Sequence, residues 1–319
     1  STQDGRPPPA APVARNGLPM SAPAAAVPPA ARRGILPGMP PLRPATAVKA
    51  DRVVRDLSRV GRLGVAFSGG VDSAVLLALA VEALGQDRVI AILGVSPSLA
   101  NDERSAAKAA AELIGARLVE VVTREGDRPA YRANGPDRCY HCKDELFATI
   151  AAEVAPIEGL TAIAYGENAD DAQRVDRPGS RAAAEHDVLR PLAAAGLTKV
   201  EVREVARHLD LPVADKPAAP CLASRVPHHE PVTPERLRQI DRAERAVRDL
   251  GFADCRVRHH GQVARVELLA CDLERAMAEP VRELLLAGVR AAGFRFVAID
   301  LACIQSGAFT LDLVEVRHG

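Results

Sequence analysis

Tryptophan is missing from this chain, and three tyrosines and six phenylalanines bring the aromatic share to only 3%. So few flat rings leave no stacking platform for single-stranded nucleic acid. Neither sign of charge dominates, because 41 basic residues meet 41 acidic ones for a formal net charge of zero. That balance argues against a basic nucleic-acid binder, so no nucleic-acid partner is expected. Long apolar runs are also lacking. Runs such as Val89 to Val95 span about seven residues where a membrane helix needs roughly 20. A soluble, cytoplasmic protein with no membrane partner is therefore expected. Cysteine is scarce, with six in 319 residues, too few for a secreted disulfide scaffold. Two of the six form a C-x-x-C at Cys139 and Cys142, which suggests a metal or redox site in a reducing compartment. Acid is nearly absent from the first 50 residues, where Asp4 stands alone. Twelve of the 25 prolines fall within residues 1–46. A disordered Pro/Ala-rich tail is expected over 1–46, since proline breaks helices and nothing apolar there is periodic. The same prolines spoil the amphipathic helix of a transit peptide.

The rest of the chain has what the tail lacks. Hydrophobic residues make up 48% of the whole, enough to bury a core. Residues 63–67 read as a buried strand followed by a helix from Val71 to Leu84, and Val89–Val95 is a second strand. A helix over 102–114, a strand over Arg117–Val122 and a strand over Thr161–Tyr165 follow. Strands separated by such helices mean βαβ units, so the fold class is α/β with a doubly wound parallel sheet. Thr198 with Glu201 three residues on is a capping box for a helix running to about Leu209. A smaller α+β domain is expected over 228–319, after a larger α/β domain over 47–227. It opens with Thr233-Pro234-Glu235, an N-cap with proline at the first helical position. That helix runs to Leu250 and stops at Gly251. A hairpin of 256–260 and 263–269, a helix over 280–292 and a strand over 294–299 complete it.

The most specific motif is Ser68-Gly69-Gly70-Val71-Asp72-Ser73, between a buried strand and a helix. Two glycines let the backbone turn tightly and bring its N–H groups against phosphate oxygens. The helix start adds partial positive charge, and Ser68 and Ser73 add hydroxyls. Asp72 is out of place beside a phosphate unless a cation lies between them, so it reads as an Mg²⁺ partner. The hexapeptide resembles the PP-loop of the ATP pyrophosphatases, which split ATP into AMP and pyrophosphate. Pro191-Leu192 and Lys199-Val200-Glu201-Val202-Arg203 resemble a second segment of that group. The resemblance implies adenosine lying across the carboxyl ends of the strands, where ligands of open parallel sheets bind. Tyr165-Gly166-Glu167-Asn168 follows a strand at the same edge, and Gly166 and Asn168 suit a nucleotide-facing loop. An ordinary acidic turn explains it nearly as well.

The C-x-x-C lies in Arg138-Cys139-Tyr140-His141-Cys142-Lys143, expected as a loop before a helix over about 143–153. Cys221 stands apart in Pro220-Cys221-Leu222-Ala223-Ser224-Arg225. A structural zinc site wants a fourth ligand that is not evident. Three thiolates from Cys139, Cys142 and Cys221 would suit a [4Fe–4S] cluster with one iron open, and a redox dithiol stays open as the alternative. Cys255, Cys271 and Cys303 read as small core residues. Together, Cys221 with Ser224-Arg225 and the Arg138–Lys143 segment resemble the LarE family, ATP-dependent sulfur transferases of nickel-pincer nucleotide cofactor synthesis. The likeness covers about residues 50–310. It implies a cysteine at the position of Cys221 as sulfur source, either sacrificed itself or, with three cysteines, as a ligand of a cluster whose open iron carries sulfide. It also implies a pyridinium biscarboxylate mononucleotide as substrate, and a symmetric homo-oligomer. Arg225 could hold a substrate phosphate or carboxylate in a fork. The resemblance also makes Arg256 and Glu244 candidates for phosphate and metal contact.

Two rival enzymes fit parts of this pattern. A tRNA thiolase can pair a PP-loop with C-x-x-C and a third cysteine, but residues 51–319 carry a net charge of −5 rather than a basic face. An ammonia-dependent amidating synthetase also adenylates an acid, but it needs a glutaminase for which no sufficient second domain is evident. A nucleotide-sensing scaffold would have no use for three cysteines beside the loop.

Overall fold

A computed structural model describes residues 41–173 and 178–304. Residues 1–40 of the expected tail and the last fifteen of the expected second domain lie outside them. Four short apolar segments pair in parallel: β1 (Leu63–Ala66), β2 (Val89–Val95), β3 (Arg117–Val122) and β4 (Ala162–Tyr165), in the order β3-β2-β1-β4. β1 is buried along its whole length, as a central parallel strand covered on both faces must be. Beyond β4, Leu189 makes one parallel bridge to Ala164.

The helices of this unit are α1 (Pro44–Leu57), α2 (Val71–Leu84), α3 (Asn101–Ile114), α4 (Pro129–Arg132), α5 (Arg138–Thr149), α6 (Ala155–Glu158), α7 (Ala169–Ala172), α8 (Pro178–Glu185), α9 (Pro191–Ala194) and α10 (Lys199–His208). Period-two alternation along β2 decides which face each packs against. Val89, Ala91 and Leu93 point into a core with α1, α2, α3 and α10. Ile90 and Ile92 point the other way, against Phe147 of α5 and Ala182 and Ala183 of α8. Helices on both faces of a parallel sheet are the doubly wound arrangement the spacing predicts. Strands β2 and β3 lie to one side of β1 and β4 to the other. The strand order therefore switches at β1, which opens a crevice at the carboxyl ends there.

Two expectations about the helices need correction. Residues 44–46, assigned to the tail, begin α1. Pro44 holds the first helical position, where its fixed φ is an asset and its missing N–H costs nothing. Thr46, Ala50, Val53 and Leu57 then form a buried stripe. The second correction concerns the C-x-x-C, which lies within the first turns of α5 and not in a loop before it. Arg138 anchors that start from below, donating to Asn134 Oδ1 at 2.5 Å and to the carbonyl of Ala223 at 2.9 Å. Such tertiary anchoring overrides the weak helix propensity of Cys, Tyr and His.

The second unit is built on α11 (Pro234–Asp249), whose N-cap Thr233 accepts from Arg236 N–H. Strands β5 (Cys255–His260) and β6 (Val263–Leu268) form an antiparallel hairpin. After α12 (Leu273–Met277) and α13 (Val281–Ala291), β7 (Phe296–Ile299) joins β6 in parallel. Val247, Val257, Val266, Leu285 and Val289 lie in its core. Cys255 is buried there as expected, and burial pushes its thiol up to about 12. Cys271 is exposed on a 3₁₀ turn and Cys303 is half-buried. Neither is a core residue, because both fall just past the strands in connecting turns.

Candidate functional site

A cavity of about 330 Å³ lies at the carboxyl ends of β1, β2, β3 and β4. Its wall includes Ser68, Ser73 and Gly166 together with Cys142 and Cys221. The phosphate-loop hydroxyls are tied into the loop itself. Ser73 Oγ donates to the Gly70 carbonyl at 3.0 Å and lies 3.2 Å from Ser68 Oγ. Gly69 turns the chain with φ +72°, and a Cβ there would sit 2.8 Å from that of Ala107. Gly70 caps α2 with no side-chain bond, so the first N–H groups of that helix have no side-chain cap. An uncapped helix start behind a glycine turn can receive a phosphate. A Cβ on Gly166 would lie 2.7 Å from Asp72 C and Ser73 N, so the β4 loop presses directly on this turn.

Asp72, expected to face Mg²⁺, has a protein partner on each oxygen. Lys199 Nζ lies 2.5 Å from Oδ2, and Asn168 Nδ2 donates to Oδ1 at 3.1 Å. Asn168 in turn caps α7 by accepting from Asp171 N–H at 3.0 Å. Gly166 and Asn168 are thus both brought to the phosphate loop, one by close approach and one by hydrogen bond. Lys199, which the sequence reading placed only in a resembling segment, joins them from the start of α10.

The Cys221 segment is pinned on every side. Leu222 N–H donates to the Ser98 carbonyl at 2.9 Å, tying the segment to the end of β2. Arg138 holds Ala223 from α5, and Arg258 donates to the Ser224 carbonyl at 2.9 Å. Asn134 reaches the carbonyls of Val226 and Pro227 at 3.2 and 2.7 Å. With Leu222, Ala223 and Arg225 buried, the Cys221 side chain is left exposed against the cavity.

Arg225 does not offer the substrate fork expected of it. It is 4% exposed and grips Glu244 with two bonds of 2.8 and 3.1 Å. Its remaining amine donates to the Pro220 carbonyl at 2.5 Å and to Ser224 Oγ at 3.0 Å. Glu244 also accepts from Val257 N–H at 3.0 Å. Arg256 donates to the Ala218 carbonyl at 2.9 Å and pairs with Asp254. The residues proposed to contact phosphate and metal thus hold the Cys221 segment against the second unit. Sequence reasoning gave them ligand roles because charged residues in a motif look alike whether they meet a ligand or one another.

The three cysteines occupy one neighbourhood. Cys139 and Cys142 lie three residues apart on α5, Cys139 exposed and Cys142 facing the cavity with Cys221. Burial pushes the Cys142 thiol well up, and Glu125, Cys221 and Cys139 add to the effect. Burial disfavours the Arg138 charge, but Cys221, Cys139 and Tyr131 together more than offset it, which places both thiols near that guanidinium. Three thiolates are the donor set of an iron–sulfur cluster with one open iron, but of the three only Cys142 and Cys221 line the cavity. Among the described residues no three such side chains are gathered closely enough to hold a metal ion as they stand.

Sequence reasoning missed Glu125, Tyr131 and Asn134. Tyr131 is buried with its hydroxyl 2.5 Å from Ser98 Oγ, and Asn134 is buried with φ +56°. The Asn134-Gly135 pair was a visible turn signal. Nothing local marked the other two.

The asparagine synthase family model matches residues 50–155, the span from α1 to the end of α5 and its continuation. Pyridinium-3,5-bisthiocarboxylic acid mononucleotide synthase of Lactiplantibacillus plantarum is 31% identical over 271 residues, 85% of this chain and 97% of that protein. The chain belongs to the LarE family. As a member it is an ATP-dependent enzyme that transfers sulfur. An uncharacterized protein of Synechocystis sp. is 39% identical over 81% of this chain and 96% of its own length. Another, of Methanocaldococcus jannaschii, is 26% identical over 81% of this chain and 97% of its own. No helix among the described residues is long and apolar enough to cross a membrane.

Proposed function

We propose that this LarE-family enzyme adenylates a carboxylate of a pyridinium biscarboxylate mononucleotide and replaces its oxygen with sulfur, in nickel-pincer cofactor synthesis. The observation that carries the reading is one cavity lined both by a phosphate loop and by an exposed cysteine. A carboxylate oxygen is a poor leaving group. Its attack on the α-phosphorus of ATP expels pyrophosphate and leaves an acyl adenylate, from which AMP departs readily. Ser68–Ser73 and the start of α2 receive the phosphates, with Gly166 and Asn168 fixing the loop from β4. Asp72 is the residue that would meet Mg²⁺, in exchange for Lys199, and the ion would neutralise charge on the leaving pyrophosphate.

Sulfur then attacks the activated carbonyl carbon, and the bond to AMP breaks with its electron pair on the phosphate oxygen. Cys221 is the nucleophile this geometry favours, with Ser224 and Arg225 holding its segment. Elimination, in which a base takes the Cys221 Cα proton and the Cβ–S bond breaks with its electron pair on sulfur, would leave the thiocarboxylate and a dehydroalanine. Cys139, Cys142 and Cys221 are also the residues that would hold a [4Fe–4S] cluster, whose open iron would supply sulfide. Mass analysis of the Cys221 peptide after turnover, with and without reconstituted iron, separates the two. Loss of the sulfur in both preparations supports sacrifice, and an intact cysteine with iron supports the cluster. Absence of any thiocarboxylate from either preparation would contradict the proposal.

A further inference from the structure

Glu125 follows β3 and lines the same cavity. It is 2% exposed, and nothing in the mechanism above uses it. Ser96 Oγ donates to its Oε1 in a short bond, while Oε2 is buried with no hydrogen-bond partner among the described residues. A buried carboxylate oxygen left without a donor is costly, so it calls for a donor that arrives with the ligand. Glu103, the other carboxylate of the cavity wall, is engaged by Lys216 at 2.6 Å.

Glu125 repels anions, which excludes the phosphates and carboxylates of either substrate as its partner. Position narrows the choice further. β3 lies two strands from β1, which carries the phosphate loop. Strand spacing puts the end of β3, which Glu125 follows, about 10 Å to the side of that loop, and the bond from Ser96 draws the carboxylate back toward the end of β2. That is the reach from the phosphates of a bound nucleotide to its sugar and base. Phe67, Leu93, Leu99 and Leu146 give the wall between them an apolar surface.

We propose that Glu125 Oε2 accepts a hydrogen bond from a neutral donor on the nucleoside half of ATP, the adenine amine or a ribose hydroxyl, and so selects the nucleotide. The assignment rests on reading this cavity as the ATP site. Ser96 occupies Oε1 and leaves Oε2 for the ligand.

Calorimetric titration of the full chain tests it, with ATP, inosine triphosphate, 2′-deoxyATP and 3′-deoxyATP in the presence of Mg²⁺. Inosine triphosphate replaces the amine with a carbonyl, and each deoxy analogue removes one hydroxyl. The analogue lacking the relevant donor is expected to bind about 10- to 100-fold more weakly than ATP. In Glu125→Ala that penalty should vanish, with ATP itself falling to the analogue's level. If Glu125→Ala does not fold, the isosteric Glu125→Gln should shrink the penalty instead. Three analogues binding within about twofold of ATP, or a penalty that persists in the variants, would overturn the assignment. Failure of the wild-type chain to bind ATP at all would overturn the ATP site and Glu125 with it. Tight ATP binding without sulfur transfer would count against the proposed function alone.

Discussion

Cys221 is presented by its neighbours. Its own side chain is exposed, while Leu222, Ala223 and Arg225 on one side of it are buried and bonded. A thiol held that way needs no rearrangement to meet an activated carbonyl. Cys221→Ser should therefore leave pyrophosphate release within a few-fold of wild type and reduce thiocarboxylate to background, read by coupled phosphate assay and mass analysis. Loss of both would mean that Cys221 shapes the ATP site. Asp72 should behave in the opposite way. Asp72→Asn removes the charge facing Lys199 and, in the proposed reaction, the group that would meet Mg²⁺, so pyrophosphate release itself should fall by about 100-fold or more without loss of fold. At this scale the sequence was informative where a residue type has few uses, as for Ser68–Ser73 and Cys221. It misled at Arg225, whose fork is taken by Glu244 from a segment 19 residues away. Ion pairs between distant segments leave no local signature.

The strand–loop–helix unit of β1 and α2 works only with two glycines in place. Gly69 needs its positive φ, and Gly166 has backbone of Asp72 and Ser73 within 2.9 Å of where a Cβ would be. Gly166→Ala must displace either the β4 loop or the phosphate loop. We expect it to weaken ATP binding by about tenfold or more with little change in melting temperature, measured by titration. α1 gives a different prediction. Arg43 and Thr46 both bond Glu204 of α10, and the hydrogen bond from Arg43 leads the effects that lower the Glu204 carboxyl to about 2. Its folded pKa lies below its ordinary value. The stabilisation is therefore present above about pH 4.5 and is lost as pH falls toward 2. Between those limits wild type should lose melting temperature faster than Glu204→Gln, as followed by circular dichroism. Apolar periodicity made β1 to β4, α2, α3, α10 and α11 legible. α1 was not, because its proline was counted as a breaker although it stands at the first position. The start of α5 was not, because bonds from Arg138 to Asn134 and Ala223 hold it.

At the scale of the whole molecule, the second unit acts as a clamp on the Cys221 segment. Glu244 of α11 and Arg256 and Arg258 of β5 reach residues 218–225. The Arg225–Glu244 pair is 5% and 1% exposed at its side chains, so removing one partner strands a buried charge. Glu244→Ala should cost about 3–5 kcal/mol in chemical unfolding. It should also free the segment to proteolysis. Unchanged stability would show that the pair adds little to the junction. Both units could be recognised from strand and helix spacing, but their contact could not, since it runs through long-range pairs among charged residues that otherwise read as surface. The central claim is that a substrate carboxylate is adenylated before sulfur enters. It is tested most directly by supplying the pyridinium biscarboxylate mononucleotide with heavy oxygen in its carboxylates, together with Mg²⁺ and ATP. The account predicts pyrophosphate, thiocarboxylate and AMP that carries one heavy oxygen, in equal amounts. Unlabelled AMP, or ADP with free phosphate, would contradict it.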